Sequence, residues 1–104
     1  MDWEKTLEGI LGSYFSDWSV EEGVSQLVME AVDHPDAHNL YLSTFELGVV
    51  AAVQGDSRVV DIINVYCYAK DIKDALQFLE RILNEYRHQY SAEMSKRLKS
   101  SSHQ

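Results

Sequence analysis

Two histidines four residues apart, His34 and His38, stand with Asp33 and Asp36 beside and between them. On a helix that spacing puts both rings on one face, where a divalent metal can be chelated. Pro35 weakens the idea, because a helix opening at the proline leaves His34 outside it. No third ligand follows at a matching interval, and a solvated helix-entry loop accounts for the same residues. No metal or cofactor is expected. Other reactive groups dissolve in the same way. Cys67 is the single cysteine, so no internal disulfide can form. It sits in the apolar run Val65-Tyr66-Cys67-Tyr68 with no basic neighbour to favour its thiolate. The acid pairs Glu21/Glu22 and Asp71/Asp74 stand where helix starts accept them. No P-loop, GxGxxG, GxSxG, HExxH or CxxC motif occurs. A non-enzyme is expected.

The more informative residues are suited to contact rather than reaction. Tyr14-Phe15-Ser16-Asp17-Trp18 sets three aromatics beside a carboxylate, the make-up of a hot spot for a basic partner. The same aromatics continue a helical stripe begun by Trp3 and Leu7, so the core competes for them. Tyr66, Tyr68, Tyr86 and Tyr90 face that competition too, with the core favoured for Tyr66 and Tyr86. The net charge of −8 is unevenly placed: residues 1–57 hold eleven acids and one base, residues 58–104 six acids and eight bases. An acidic front half repels phosphate backbones, which argues against direct nucleic-acid binding. It also attracts basic proteins and speeds their encounter. An acidic surface that merely keeps the protein soluble has the same charge. The partner-binding set expected from this reasoning is Tyr14, Asp17, Trp18, Glu21, Glu22, Asp33 and Asp36.

The elements that position these residues are mostly helical. A chain of 104 residues with 45% hydrophobic and 11% aromatic content fits one folded domain rather than a disordered tail. The strongest element runs from Asp71 to Tyr90. Ile72, Ala75, Leu76, Leu79, Ile82, Leu83, Tyr86 and Tyr90 share one helical face, and Asp71 can cap its start. That stripe needs cover from the rest of the chain. Trp3, Leu7, Ile10, Leu11, Tyr14, Phe15 and Trp18 repeat at helical spacing, with Asp2 as N-cap. Ser19 and Glu22 have capping-box spacing, opening a helix that carries Val20, Val24, Leu27, Val28, Ala31 and Val32 and stops before Pro35. The stretch from Leu40 to Val53 is apolar nearly all round, the mark of a central buried helix, unless Ser43 and Glu46 cap a second start inside it. Residues 58–69 are rich in β-branched and aromatic types, yet Val59, Ile62, Ile63, Tyr66 and Ala69 form a helical face. The fold expected is all-α: a compact single-domain bundle of about five helices near 3–12, 19–33, 36–53, 57–69 and 71–92, packed around the last. The alternative is α+β, with a hairpin at 45–68. The domain is expected over 1–98, and serine-rich 99–104 as a disordered tail. No apolar run approaches the ~20 residues of a membrane span, and no secretion signal opens the chain. A cytoplasmic protein, monomeric or weakly homodimeric, is expected.

Leu11-Gly12-Ser13-Tyr14-Phe15-Ser16-Asp17-Trp18, followed by Val20-Glu21-Glu22-Gly23, resembles the opening of small acidic immunity proteins of bacterial contact-dependent growth inhibition systems. Those proteins often begin with a short helix leading into a Y-F-x-x-D-W-like motif and then an acidic capped helix. The resemblance covers residues 11–23. It implies a cytoplasmic protein that neutralises a toxin domain, often a nuclease, by covering its active site or substrate groove. The partner expected is therefore a basic toxin domain. A small helical adaptor or regulatory subunit is the alternative, and its mark would be an apolar face left over on the helix Asp71–Leu98.

Overall fold

The computed structural model describes residues 2–102, with side chains described for residues 2–99. Five helices follow one another: α1 (Trp3–Tyr14), α2 (Val20–Ala31), α3 (Pro35–Val53), α4 (Arg58–Tyr66) and α5 (Ile72–Ser102). No strand occurs among the described residues, so the all-α bundle stands and the hairpin alternative falls. The β-branched residues of α4 stay helical because Val59, Ile62 and Ile63 share one face and are buried on it. Burying each such side chain contributes roughly 1.5–3 kcal/mol, against a helix-propensity deficit of at most ~0.7 kcal/mol per residue.

Helix starts have local causes. The Lys5 N–H donates to the Asp2 carboxylate at 3.2 Å. At α2 the Glu22 N–H donates to Ser19 Oγ at 3.2 Å and the Ser19 N–H donates to Glu22 Oε1 at 3.3 Å, which completes the capping box. The Asp74 N–H donates to Asp71 Oδ1 at 2.9 Å and fixes the first turn of α5. α3 opens on Pro35 without a side-chain cap and runs unbroken past Ser43 and Glu46.

The expected packing around α5 is shared with α3. α3 touches all four other helices, whereas α5 touches α2, α3 and α4 but not α1. α2, α3 and α5 form one three-helix group; α1 packs on α3, α4 and α2, and α4 closes against α1 and α5. Gly48 makes this possible: a Cβ there would lie 3.2 Å from Leu79 of α5 and 3.6 Å from Leu7 of α1. Leu7, Leu11, Leu27, Phe45, Ile63, Leu79, Ile82 and Tyr86 lie in one continuous buried cluster. α3 is central, but it is not buried all round, because Leu40, Leu47, Val50 and Val53 stay exposed along its outer side.

α5 has 31 residues and so spans about 46 Å, nearly all of the molecule's longest dimension of 51 Å. It continues to Ser102, past the expected start of the tail at 99, and residues 103–104 of that tail lie outside the described residues. Among the described residues no helix is long and apolar enough to cross a membrane.

Candidate functional site

The turn after α1 and the turn after α4 lie against each other. α1 and α4 run in parallel: Arg58 Nη1 lies 3.0 Å from Glu4 Oε1, and one β-carbon's width along both helices is left open at Gly12, where Tyr66 rests. Beyond these helices the Cys67 thiol donates to the Phe15 carbonyl at 3.8 Å, tying the turn after α4 to the turn after α1. Burial pushes the Cys67 thiol up in pKa, away from the reactive thiolate.

Both turns are braced from within. The Ser16 hydroxyl donates to the Gly12 carbonyl at 2.9 Å, and Phe15 is buried. The Asn64 side chain donates to the Ala69 carbonyl at 3.0 Å and accepts the Ala69 N–H at 2.9 Å. This amide closes the turn as a backbone partner would. The braced turns hold large side chains in solvent: Trp18 is 46% exposed, Tyr66 47% and Tyr68 76%. Trp18 lines a shallow depression with Glu22, Ser25 and Gln26. Rigid, exposed aromatics lose little entropy on contact, which is what an anchor residue requires.

The seven residues expected to bind a partner do not form one patch. Asp17, Trp18, Glu21 and Glu22 gather around the start of α2. Asp33 and Asp36 lie past its far end, about 18 Å away along a twelve-residue helix. Tyr14 turns inward, and its hydroxyl donates to Glu30 Oε2 at 3.1 Å. The Tyr41 hydroxyl donates to the same oxygen at 2.9 Å. Burial, then the Glu30 carboxylate, holds both phenols above their ordinary pKa.

The carboxylates differ in how free they are. Glu21 Oε1 pairs with Arg81 Nη2 at 2.8 Å, and Asp33 Oδ1 with Arg97 Nη1 at 2.7 Å. The Arg81 hydrogen bond holds the Glu21 carboxyl below its usual pKa. α5 thus brings bases of the back half against acids of the front half, a compensation invisible in the linear charge count. These pairs are more than half exposed on their acid side, so each contributes little to stability. Among the described residues Asp17 and Asp36 make no ion pair. Two tyrosine expectations part company: Tyr86 is in the core, whereas Tyr66 lies exposed over Gly12.

His34 and His38 do not converge. His34 is the N-cap residue of α3, with extended backbone. His38 faces α5, stacking on Tyr90 at 3.8 Å between ring centres, with its Nδ1 2.8 Å from the Tyr86 hydroxyl. Burial lowers the His38 pKa below its ordinary 6.5. The unfolded chain therefore binds that proton first, so stability falls as pH drops from about 6.5 towards the folded value and is unaffected above it. Urea unfolding at about pH 7.5 and about pH 5.5 is expected to give the lower stability at the acid value. His38→Gln should shrink the difference, and an unchanged difference would remove His38 as its source. Glu21 acts in a separate window, because a depressed carboxylate loses its contribution only as pH falls below its usual 4.5.

No protein-family model, curated protein or solved structure matches this chain.

Proposed function

We propose that this protein is an immunity-type inhibitor, acting in the cytoplasm, that binds a basic toxin domain and occludes its working surface. Such a toxin is most simply a nuclease, since a groove that holds phosphate must be basic. What supports the reading is Trp18, set exposed on a braced turn next to Glu22 and beside Asp17, a carboxylate with no ion pair among the described residues. The net charge of −8 and the resemblance of residues 11–23 point the same way. Inhibition of this kind needs no bond to form or break. The inhibitor has only to cover the groove more tightly than the substrate enters it.

The direct test uses the C-terminal domain encoded by the reading frame immediately upstream. Binding is expected, with an association rate that falls at least about tenfold as salt rises from ~50 to ~500 mM. Trp18→Ala is expected to weaken the complex by about 2 kcal/mol, as for a central aromatic anchor. Absence of binding, or an association rate indifferent to salt, would overturn the reading.

A homodimeric adaptor is the second reading, favoured by one observation. An apolar face is left over on α3, at Leu40, Leu47, Val50 and Val53, whereas among the described residues of α5 Leu98 is the exposed large apolar residue. Sedimentation of a dimer that Leu47→Asp dissociates, together with no binding to basic domains, would favour it.

A further inference from the structure

The outer side of α4 is an unpartnered apolar face at the edge of the proposed contact surface. Val65 and Tyr66 are about half exposed, and Tyr68, in the turn after α4, is more so. Two carboxylates without ion pairs among the described residues flank this face, Asp61 on α4 and Glu8 on α1. The parallel register that sets Glu4 against Arg58 sets Glu8 level with Ile62 at the α1–α4 seam, while Asp61 lies on the outer side of α4, one turn from Val65. Arg58, the one guanidinium there, is already held by Glu4 at 3.0 Å and Asp56 at 2.8 Å. The seam therefore offers negative charge and aromatic faces together.

Gly9 supplies an independent observation. Four of the five glycines have reasons inside the fold: Tyr66 against Gly12, Phe15 against Gly23, Leu79 against Gly48, and the left-handed backbone of Gly55 at φ +77°. Gly9 has none, since a Cβ there would meet nothing within 4 Å. It lies inside α1, where alanine would strengthen the helix. A bare backbone at an exposed helical position suits close approach by something outside the chain.

We infer that an arginine-bearing segment of the basic partner lies along the α1–α4 seam, over Gly9, with its guanidinium groups on Tyr66 and Tyr68 and against Glu8 and Asp61. Arginine fits because a planar guanidinium stacks on tyrosine while pairing with a carboxylate. A second copy of this chain fits badly, since it would bring Glu8 and Asp61 against the same acids. The inference rests on the proposed function and extends its surface from the α1–α2 turn to the outer face of α4.

Two measurements test it. Titrating isotope-labelled protein with a hexa-arginine peptide is expected to shift the amide resonances of Gly9, Asp61 and Val65; shifts confined to α2 and α3 would overturn the assignment. With the upstream-encoded domain, Gly9→Trp and Asp61→Lys are each expected to weaken binding about tenfold, while Glu46→Lys on α3 changes it less than about twofold. Circular dichroism should show both seam variants folded, because both substitutions point into solvent. Should the seam variants bind normally while Trp18→Ala loses affinity, the seam falls and the inhibitor reading survives. If the wild-type chain does not bind the domain, the inhibitor reading fails, and the peptide shifts still decide whether the seam recognises arginine. A dimer in sedimentation that Gly9→Trp dissolves would give the face to a second copy and overturn the inference.

Discussion

Tyr86→Ala is expected to remove about 3–5 kcal/mol of stability, the range for truncating a large buried aromatic. For a domain whose total is roughly 5–15 kcal/mol, that leaves a marginal fold. Tyr86 is fully buried on α5 where it meets α3. Its ring stands edge-on to Tyr41, with centres 6.4 Å apart, and at 61° to Phe45. Its hydroxyl meets His38 Nδ1 at 2.8 Å. Truncation would open a cavity between the two helices and leave the His38 nitrogen without this partner. Tyr86→Phe separates the two effects, since the ring stays and only the hydrogen bond goes, at about 1 kcal/mol. Urea midpoints for the pair measure the difference. An alanine variant no less stable than the phenylalanine variant would mean that ring packing does not hold α3 to α5.

Much of this architecture was legible because it rests on local chemistry. The Ser19–Glu22 capping box, the Asp2 and Asp71 caps and the stripe of α5 depend on residues three and four apart, and each was found where spacing put it. Relations between distant segments were not legible. Tyr66 falls on the same helical face as Ile62 and Ile63, yet Gly12 of another helix receives its ring at the rim, and α4 stops before the core can close over it. Periodicity names a face and cannot say where cover ends. The charge count failed in the same way: it recorded an acidic front half, while α5 carries Arg81 and Arg97 to Glu21 and Asp33. The run Tyr14–Trp18 marks Trp18 and Asp17 as candidates for contact, and both side chains are exposed. The Asn64–Ala69 clamp that presents Tyr68 had no signal, because a side-chain amide standing in for backbone leaves no periodic trace.

Gly23→Ala reverses the usual sign for a glycine inside a helix. Where space is open, alanine is worth up to ~1 kcal/mol over glycine, and Gly9, with nothing near its missing Cβ, should show that gain. At Gly23 the added Cβ would run into the carbonyl oxygen of Tyr14 and lie 2.6 Å from the Phe15 ring. A ring can turn aside, but the carbonyl belongs to the backbone at the end of α1. The helix end must therefore move away from α2. Overpacking of this kind costs about 1–3 kcal/mol, enough to outweigh the propensity gain, and Gly23→Val should cost more than alanine. The displaced segment is the one that buries Phe15, meets Cys67 and carries Trp18. Partner affinity should therefore fall alongside stability in the Gly23 variants. Thermal melts of the two alanine variants read the sign directly: Gly23→Ala below wild type and Gly9→Ala above it. Equal melting temperatures would show that α1 does not depend on the gap at Gly23 to seat the Trp18 turn.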